Sequence, residues 1–304
     1  MSVLANVGGG IPEQRQDVWR PAVESRQRQG RRWSVAFLGA TLSAVLLLAV
    51  LVVVLTVRGW DWLSVHLITS MPSRVAERAG FNSAIWGSLW VVAGAAIFSF
   101  IVGVGSAIFL EEYAPRHWFT RILKTNIANL AGVPSVVYGL LGLALFVEIL
   151  NAGRTVLAGA LTMGLLILPI VILASQESLR AVPLSLRQAA FGLGGTRWQV
   201  VRHHVLPAAM PGILTGTILA VSRAIGETAP LIVVGAAAYF PFRPDGPLSQ
   251  YTAMPVQIYQ WTQRPQEEFQ DLAAAAIIVL LVLLLGMNAV AIVIRQRLST
   301  RKRW

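Results

Sequence analysis

The stretch Ser175–Pro207 reads SQESLRAVPLSLRQAAFGLGGTRWQVVRHHVLP and lies between two long apolar runs, Thr155–Ala174 and Ala208–Val234. Before the turn residues Gly194-Gly195, apolar side chains recur at helical spacing; they are Val182, Leu186, Ala189, Ala190 and Leu193. The pattern predicts a short amphipathic helix, a turn and a second segment that ends at a proline. Because a solvated connector has no reason to keep an apolar stripe, we interpret the stretch as a docking element for another protein.

The two flanking runs belong to a set of six, each long enough to cross a bilayer as a helix of about 20 apolar residues. The six runs are Trp33–Val57, Ala84–Leu110, Thr125–Val147, Thr155–Ala174, Ala208–Val234 and Leu272–Ile294. Helices satisfy their backbone polar groups internally, as lipid requires. The predicted fold is therefore all-α, a polytopic membrane protein with six transmembrane helices. Its predicted parts are a tail (1–32), the first helix (33–57), a core of five helices (84–294) that carries the docking element (175–207), and a basic tail (295–304).

Composition supports a membrane protein and excludes several other classes. Of the 304 residues, 55% are hydrophobic and 13% are charged, whereas about a quarter of a soluble domain is charged. The net charge of +11 is not read as nucleic-acid binding, because the basic residues fall mostly between the apolar runs. The absence of cysteine excludes a disulfide framework, a thiolate metal site and a cysteine nucleophile.

The distribution of basic residues predicts the orientation in the membrane. With the six runs as helices, 18 of the 25 Lys and Arg residues lie on the side of the N-terminus and 6 on the other side. Cytoplasmic loops carry the excess of positive charge. Both termini and Ser175–Pro207 are therefore expected in the cytoplasm, and Tyr239–Asp271 outside it.

An ion pair is predicted within the fifth run. Arg223 and Glu227 are four residues apart and so share one helix face. A charge at the centre of a bilayer costs about 2.5–3.5 kcal/mol even on insertion scales, so such residues usually face a partner or a water-filled pathway. The alternative is a buried pair that only locks helices together. Gly226 and Pro230 weaken the helix on either side of Glu227.

Prolines and glycines elsewhere in the sequence predict further local structure. The outer loop Tyr239–Asp271 is expected to form a partly ordered cap with an amphipathic piece at Pro255–Trp261. We interpret this loop first as packing at the membrane interface and second as a surface for an external partner. Glycines in the second and third runs predict close helix packing. Pro134 and Pro169 are expected to kink their helices.

Motifs for catalysis are missing from the sequence. It contains no Gly-Lys-Ser or Gly-Lys-Thr phosphate loop, no His-Glu-x-x-His and no Gly-x-Ser-x-Gly. His203-His204 is interpreted as part of the docking element rather than as a metal site. We therefore predict no catalytic residue, no metal site and no bound cofactor in this chain.

The docking element resembles the EAA signature of ATP-binding-cassette (ABC) importer permeases. That signature is Glu-Ala-Ala, three residues, Gly, nine residues, Ile-x-Leu-Pro, and the matching residues are Gln188, Ala189, Ala190, Gly194, Leu206 and Pro207. Gln188 replaces the glutamate and His204 replaces the isoleucine. The resemblance implies a type I ABC importer permease fold in which these residues couple the chain to a separate ATPase.

Four further stretches resemble the phosphate permeases of PstA type: Ala131–Gly139 (AGVPSVVYG), Leu168–Val171 (LPIV), Arg223–Pro230 (RAIGETAP) and Pro255–Tyr259 (PVQIY). The resemblance implies a phosphate importer of the bacterial plasma membrane, made of this chain, a PstC-type permease, two PstB-type ATPases that use ATP and Mg, and a PstS-type phosphate-binding protein. It also implies that Arg223 and Glu227 take part in translocation. A guanidinium offers several fixed donors to a phosphate dianion.

Three alternatives stay open at this point. The chain resembles the PstC-type sister subunit in part, and a permease for another oxyanion fits the same chemistry. A secondary transporter usually shows inverted repeats or several intramembrane ionisable residues, neither of which is evident. An intramembrane enzyme needs a nucleophile and a base at span depth, and none of the six runs contains a histidine.

Overall fold

The structure is a computed structural model that describes residues 14–115, 117–236 and 240–300. It divides into two compact units, Met1–Val57 and Arg58–Trp304. Within the described ranges the chain is helical and contains no strand. The predicted segments lie partly outside these ranges, at residues 1–13 of the N-terminal tail, Arg116 and residues 237–239 of the core, and residues 301–304 of the C-terminal tail.

The first unit is built on one helix, α1 (Gln14–Gly59), whose last two residues belong to the second unit. The predicted first span, Trp33–Val57, is the apolar part of this helix. The rings of Trp33 and Phe37 stack with their centroids 6.0 Å apart. The helix begins well before the apolar run, so the described part of the N-terminal tail is helical as well.

The second unit contains eleven further α-helices among the described residues. They are α2 (Val65–Thr69), α3 (Asn82–Ile108), α4 (Trp118–Leu130), α5 (Ser135–Gly142), α6 (Val156–Arg180), α7 (Leu184–Gly192), α8 (Arg197–Val200), α9 (Leu206–Gly226), α10 (Ala229–Val234), α11 (Met254–Thr262) and α12 (Glu267–Thr300). Three π-helical segments extend them: Phe109–Tyr113 after α3, Leu143–Ile149 after α5 and Val201–Val205 before α9. Short 3₁₀ turns occupy Trp60–Trp62 and Ala76–Arg78.

Helices α3, α6 and α9 form the core through close contacts between small residues. A Cβ atom built on Gly103 of α3 would lie 2.8 Å from Cγ1 of Val171 on α6, and one on Gly216 of α9 would lie 2.2 Å from Cβ of Ala174. Because apolar lipid gives no hydrophobic drive for helix association, such close approaches and the dispersion contacts they allow hold the bundle together. The sequence expectation of close packing at Gly103 agrees with this arrangement.

Five of the six predicted spans correspond to helical stretches that are long and apolar enough to cross a membrane. These stretches are Gln29–Trp62, Asn82–Tyr113, Val156–Arg180, Arg197–Gly226 and Glu267–Arg297. The remaining run, Thr125–Val147, is not one kinked helix. The chain bends by 104° between α4 and the segment Ser135–Ile149, which consists of α5 and the π segment after it. Val133 precedes Pro134, which disfavours helical geometry there, and the Tyr138 hydroxyl donates to the Leu130 carbonyl across the bend (2.9 Å).

The fifth predicted run also differs from a single helix. Helix α9 ends at Gly226, Glu227 has extended backbone (φ −77°, ψ 124°), and the short helix α10 follows. Pro230 near the start of α10 has no backbone N–H to continue α9. At the other end of α10, Gly235 has φ +98° and terminates the helix. The chain therefore breaks its helix beside Glu227.

Part of the predicted outer loop is buried against the helical bundle. The amphipathic piece forms α11, and Trp261 is buried against Phe81 and Phe269. Tyr251 is buried as well, because the absence of a side chain at Gly159 leaves room for its hydroxyl. The predicted amphipathic piece at Pro255–Trp261 is therefore confirmed as a helix, whereas its burial against the bundle was not predicted, since hydropathy cannot distinguish a ring at a membrane surface from one within a protein.

Loop carbonyls also complete the N-terminus of α6. The backbone N–H of Val156 donates to the Ser249 carbonyl (2.9 Å) and that of Leu157 to the Pro247 carbonyl (2.7 Å). Thr155 caps the helix through its side chain. The first N–H groups of a helix have no partner within it, so the loop supplies the acceptors that α6 lacks.

Candidate functional site

Arg223 and Glu227 contact each other at the break between α9 and α10. Arg223 lies in the last turn of α9, and its Nε is 3.3 Å from Oε1 of Glu227. The arginine side chain is 56% exposed and the glutamate 19%. Among the described residues only this nitrogen of the guanidinium has an acceptor, so the remaining N–H groups of this exposed side chain are available to a ligand. An anion with two or more oxygens fits this set of donors.

Two polar contacts join α9 to α12, one beside Arg223 and one about two turns earlier on α9. The Ser222 hydroxyl contacts the Asn288 side chain, and NH1 of Arg295 donates to the Thr215 hydroxyl (2.8 Å). Each of these pairs joins α9 to α12. The sequence analysis did not find them, because a single Asn or Thr in an apolar run carries no signal of which helix it faces.

The predicted docking element folds as α7, a glycine turn and α8. Its first residues, Ser175–Arg180, are the last turns of α6. Gln188 and Ala189 are exposed on α7, Ala190 is buried, and Leu206 and Pro207 are partly buried at the start of α9. Helix α9 has 21 residues, about 30 Å, so Leu206 and Pro207 lie at its start and the Arg223–Glu227 pair lies at its end.

Gly194 makes the turn through its backbone conformation. It has φ +81°, its N–H donates to the Phe191 carbonyl (2.9 Å), and the N–H of Gly195 donates to the Ala190 carbonyl (3.2 Å). This is a Schellman motif, which ends a helix with a residue in the left-handed region. Thr196 then starts α8 with a capping box to Gln199.

The predicted apolar stripe divides between two faces. Val182 and Ala190 are buried in a cluster with Leu179, Val200, Val205, Ala209 and Ile213. The remaining members of the stripe, Leu186, Ala189 and Leu193, are exposed, and Leu193 is 88% accessible. Leu184, Phe191 and Trp198 are exposed beside them. One face of α7 thus anchors the segment to the bundle, while the other presents apolar surface outward.

Comparison with known proteins gives the family. Residues 99–304 match the model of the binding-protein-dependent transport system inner membrane component. The chain belongs to this family. It is a membrane permease of an ABC transporter, and such a subunit works with ATPase and substrate-binding partners.

Individual relatives and solved structures agree with this assignment. The chain is 30% identical to phosphate transport system permease protein PstA 1 of Mycobacterium tuberculosis H37Rv, with 94% of each chain covered. It is 32% identical to PstA of Yersinia pestis, with 88% of this chain and 90% of that protein covered, and 30% identical to the probable ABC transporter permease protein YqgI of Bacillus subtilis, with 77% and 84% covered. An inward-facing structure of the MetNI methionine ABC transporter superposes with a TM-score of 0.59 at 16% identity, covering 71% of this chain and 94% of the other. The predicted type I ABC importer permease fold is confirmed.

One charged cluster of the permease was missed by the sequence analysis. It is centred on Glu111, Glu112 and Tyr113, the last three residues of the π segment after α3, which we call the acidic junction. Glu111 and Glu112 pair with Lys124, Arg180 and Arg187 from three other helices. Two adjacent acids at the end of an apolar run were the available signal, but their partners are distant in sequence.

No metal centre is evident in the described part of the chain, where no three His, Asp or Glu side chains are grouped for one. His203 and His204 are exposed in the π segment before α9.

Proposed function

We propose that this permease is the PstA-type subunit of an ATP-driven importer of inorganic phosphate. The observation that carries the proposal is the Arg223–Glu227 pair at the helix break, in which Arg223 is more than half exposed and contacts Glu227 through one nitrogen. The chain aligns over nearly its whole length with proteins named as phosphate permeases. A pair with spare donors suits an oxyanion, because Arg223 gains acceptors from the ligand without first losing buried ones.

The two residues have complementary roles in this proposal. Arg223 attracts and orients the phosphate dianion through the N–H groups that Glu227 does not bind. Glu227 holds Arg223 when phosphate is absent, so that the guanidinium is never an uncompensated charge in a low-dielectric setting. The break between α9 and α10 places Glu227 on extended backbone, outside the rigid helix that carries Arg223.

The partners and the orientation are part of the same proposal. We expect a heterodimer with a PstC-type permease, two PstB-type ATPases that use ATP and Mg, and a PstS-type binding protein outside the plasma membrane. We expect both termini, α7 and α8 in the cytoplasm, because cytoplasmic loops carry the excess of basic residues. The exposed apolar face of α7, with Gln188, Ala189 and Gly194, then meets the ATPase as a helix in a groove.

The test is transport by the complete complex in vesicles. Radiolabelled phosphate uptake is measured with ATP and with a non-hydrolysable ATP analogue, in the presence of unlabelled sulfate or molybdate as competitors. We expect uptake that requires hydrolysable ATP and that neither competitor reduces. Loss of labelled phosphate uptake in the presence of sulfate or molybdate would assign the permease to another oxyanion, and uptake without ATP would make it a secondary transporter.

A further inference from the structure

The acidic junction connects one π segment to four other helices. Glu111 is 2.8 Å from Nζ of Lys124 on α4 and 2.8 Å from NH2 of Arg180 on α6. Glu112 is 3.0 Å from NH2 of Arg187 on α7. The guanidinium of Arg197 on α8 lies over the Tyr113 ring, 5.7 Å from its centroid. Adjacent helical residues point in different directions around the axis, so three consecutive side chains reach elements on several sides.

The Glu112–Arg187 contact is the most enclosed of these. The side chains are 13% and 16% exposed. Arg187 also donates from NH1 to the Val182 carbonyl and from NH2 to the Leu179 carbonyl, at 2.7 Å each. One arginine thus completes the C-terminal end of α6 and binds the carboxylate at the end of α3. Helix α7 is fastened to both helices through it.

The contacts of Glu112 and Tyr113 hold the two halves of the docking element to the same segment. Helices α7 and α8 lie on either side of the Gly194 turn, and each contacts the junction by its own residue, Arg187 or Arg197. Separating a largely buried ion pair leaves uncompensated charge and costs far more than separating a surface pair. A displacement of α7 is therefore carried to the end of α3 rather than lost at the contact, and the weaker contact between Arg197 and the Tyr113 ring links α8 to the same segment.

Glu111 extends the connection to the bent pair of helices. Its carboxylate receives Lys124 from α4, the first arm of the 104° bend, and Arg180 from the last turn of α6. The second arm, α5, packs against α10, since a Cβ on Gly139 would lie 2.8 Å from Cα of Pro230. Helix α10 begins two residues after Glu227. A continuous chain of contacts therefore joins the docking element to the Arg223–Glu227 break.

We propose that the acidic junction transmits the movement of the docking element to α3, α4 and α6, and that Glu112 is a positioning residue for the coupling of ATP hydrolysis to transport. The proposal rests on the proposed function, in which α7 meets the ATPase. In this role Glu112 acts through Arg187 and does not touch phosphate. Its loss leaves ATP hydrolysis in place and separates it from import.

The test uses Glu112→Gln, which removes the charge and keeps the shape of the side chain. In vesicles holding the whole complex, phosphate imported and ATP hydrolysed are measured together. We expect the ratio of phosphate to ATP to fall about fivefold, within the range found for mutations in coupling networks, at unchanged abundance of the complex. Tyr113→Leu removes the ring from Arg197, leaves both ion pairs, and should lower the same ratio by about twofold.

Glu148→Gln is the matched control, because Glu148 also lies in a π segment and is exposed; it should keep the wild-type ratio. A wild-type ratio in both junction variants would overturn the proposal. Failure of both variants to assemble with the ATPase would overturn it too, since the junction would then serve assembly. If the proposed function is wrong, wild-type vesicles themselves import no phosphate, which is a different result from variants that import normally.

Discussion

Two arginine–glutamate pairs in this permease have the same chemistry and opposite surroundings. At the acidic junction, Glu112 and Arg187 are both largely buried, and Arg187 also satisfies two backbone carbonyls. At the α9–α10 break, Arg223 is more than half exposed and contacts Glu227 through one nitrogen at 3.3 Å. The first pair joins separate helices, whereas the second lies within one stretch of chain.

The difference shows what each pair can do. A guanidinium whose donors are already occupied by protein holds elements together and has little left for a ligand. A guanidinium with most donors unoccupied exchanges its partner at low cost, because an arriving anion adds hydrogen bonds before the old contact is released. Exposure and the number of acceptors, rather than residue type, separate a pair that joins helices from a pair that keeps donors for an anion.

The largest expected effect comes from replacing Arg223, the more exposed of the two arginines compared above. Arg223→Gln should lower ATP-dependent phosphate uptake by about a hundredfold, since hydrogen bonds from a charged donor contribute about 1.5–3 kcal/mol and several are lost together. Lysine at this position should recover little, because a single ammonium lacks the fork of donors. Uptake and membrane abundance are measured together. Arg78→Gln is the control, as Arg78 is also exposed; equal uptake by both variants would remove Arg223 from the pathway.

Exchanging the two charges is expected to have the next largest effect. Arg223→Glu combined with Glu227→Arg restores the ion pair but moves the cation onto the extended segment between α9 and α10. Abundance should return to that of wild type, and uptake should stay at least about tenfold lower, because the donors no longer project from the end of α9. Recovery of both abundance and uptake would show that the Arg223–Glu227 pair only locks helices. Both arginine–glutamate pairs would then have the same structural role.

The smallest expected effect concerns the Gly194 turn between α7 and α8. A Cβ on either Gly192 or Gly194 meets nothing within 4 Å, but only Gly194 has positive φ. Gly194→Ala should therefore destabilise the α7–α8 turn by about 1–2 kcal/mol through backbone strain alone. Gly192→Ala should stabilise α7 slightly. Amide hydrogen exchange across 184–200 in the assembled complex should be faster in the first variant and unchanged or slower in the second; the same exchange in both would show that the turn does not require glycine.

Sequence patterns predicted the α3 and α6 spans closely because unbroken apolar runs of that length permit little else in lipid. They placed Thr125–Val147 in one helix, although the chain turns by 104° there. Hydropathy counts apolar residues without regard to direction, and Val133-Pro134 was interpreted as a kink. The end of α9 at Gly226 was missed for the same reason, even though Gly226 and Pro230 had been recognised as weak points.

The site was predicted in part. Gly194 was identified from its spacing, and its positive φ explains why the signature has glycine there. The Arg223–Glu227 contact followed from the i, i+4 rule. The acidic junction did not, because Glu112 and Arg187 are 75 residues apart and only the packing of α3 against α6 brings them together. Helical periodicity predicts which residues of one helix share a face, but it does not predict which residues of different helices are in contact.

The capping of α6 by a later loop determines when the bundle can be completed during synthesis. The carbonyls of Pro247 and Ser249, which accept from the first turn of α6, emerge from the ribosome only after α7, α8, α9 and α10 have been made. Until then those N–H groups depend on water, which keeps that end of α6 near an aqueous boundary. Native packing at this end of α6 therefore cannot be completed before the chain has been synthesised past Ser249.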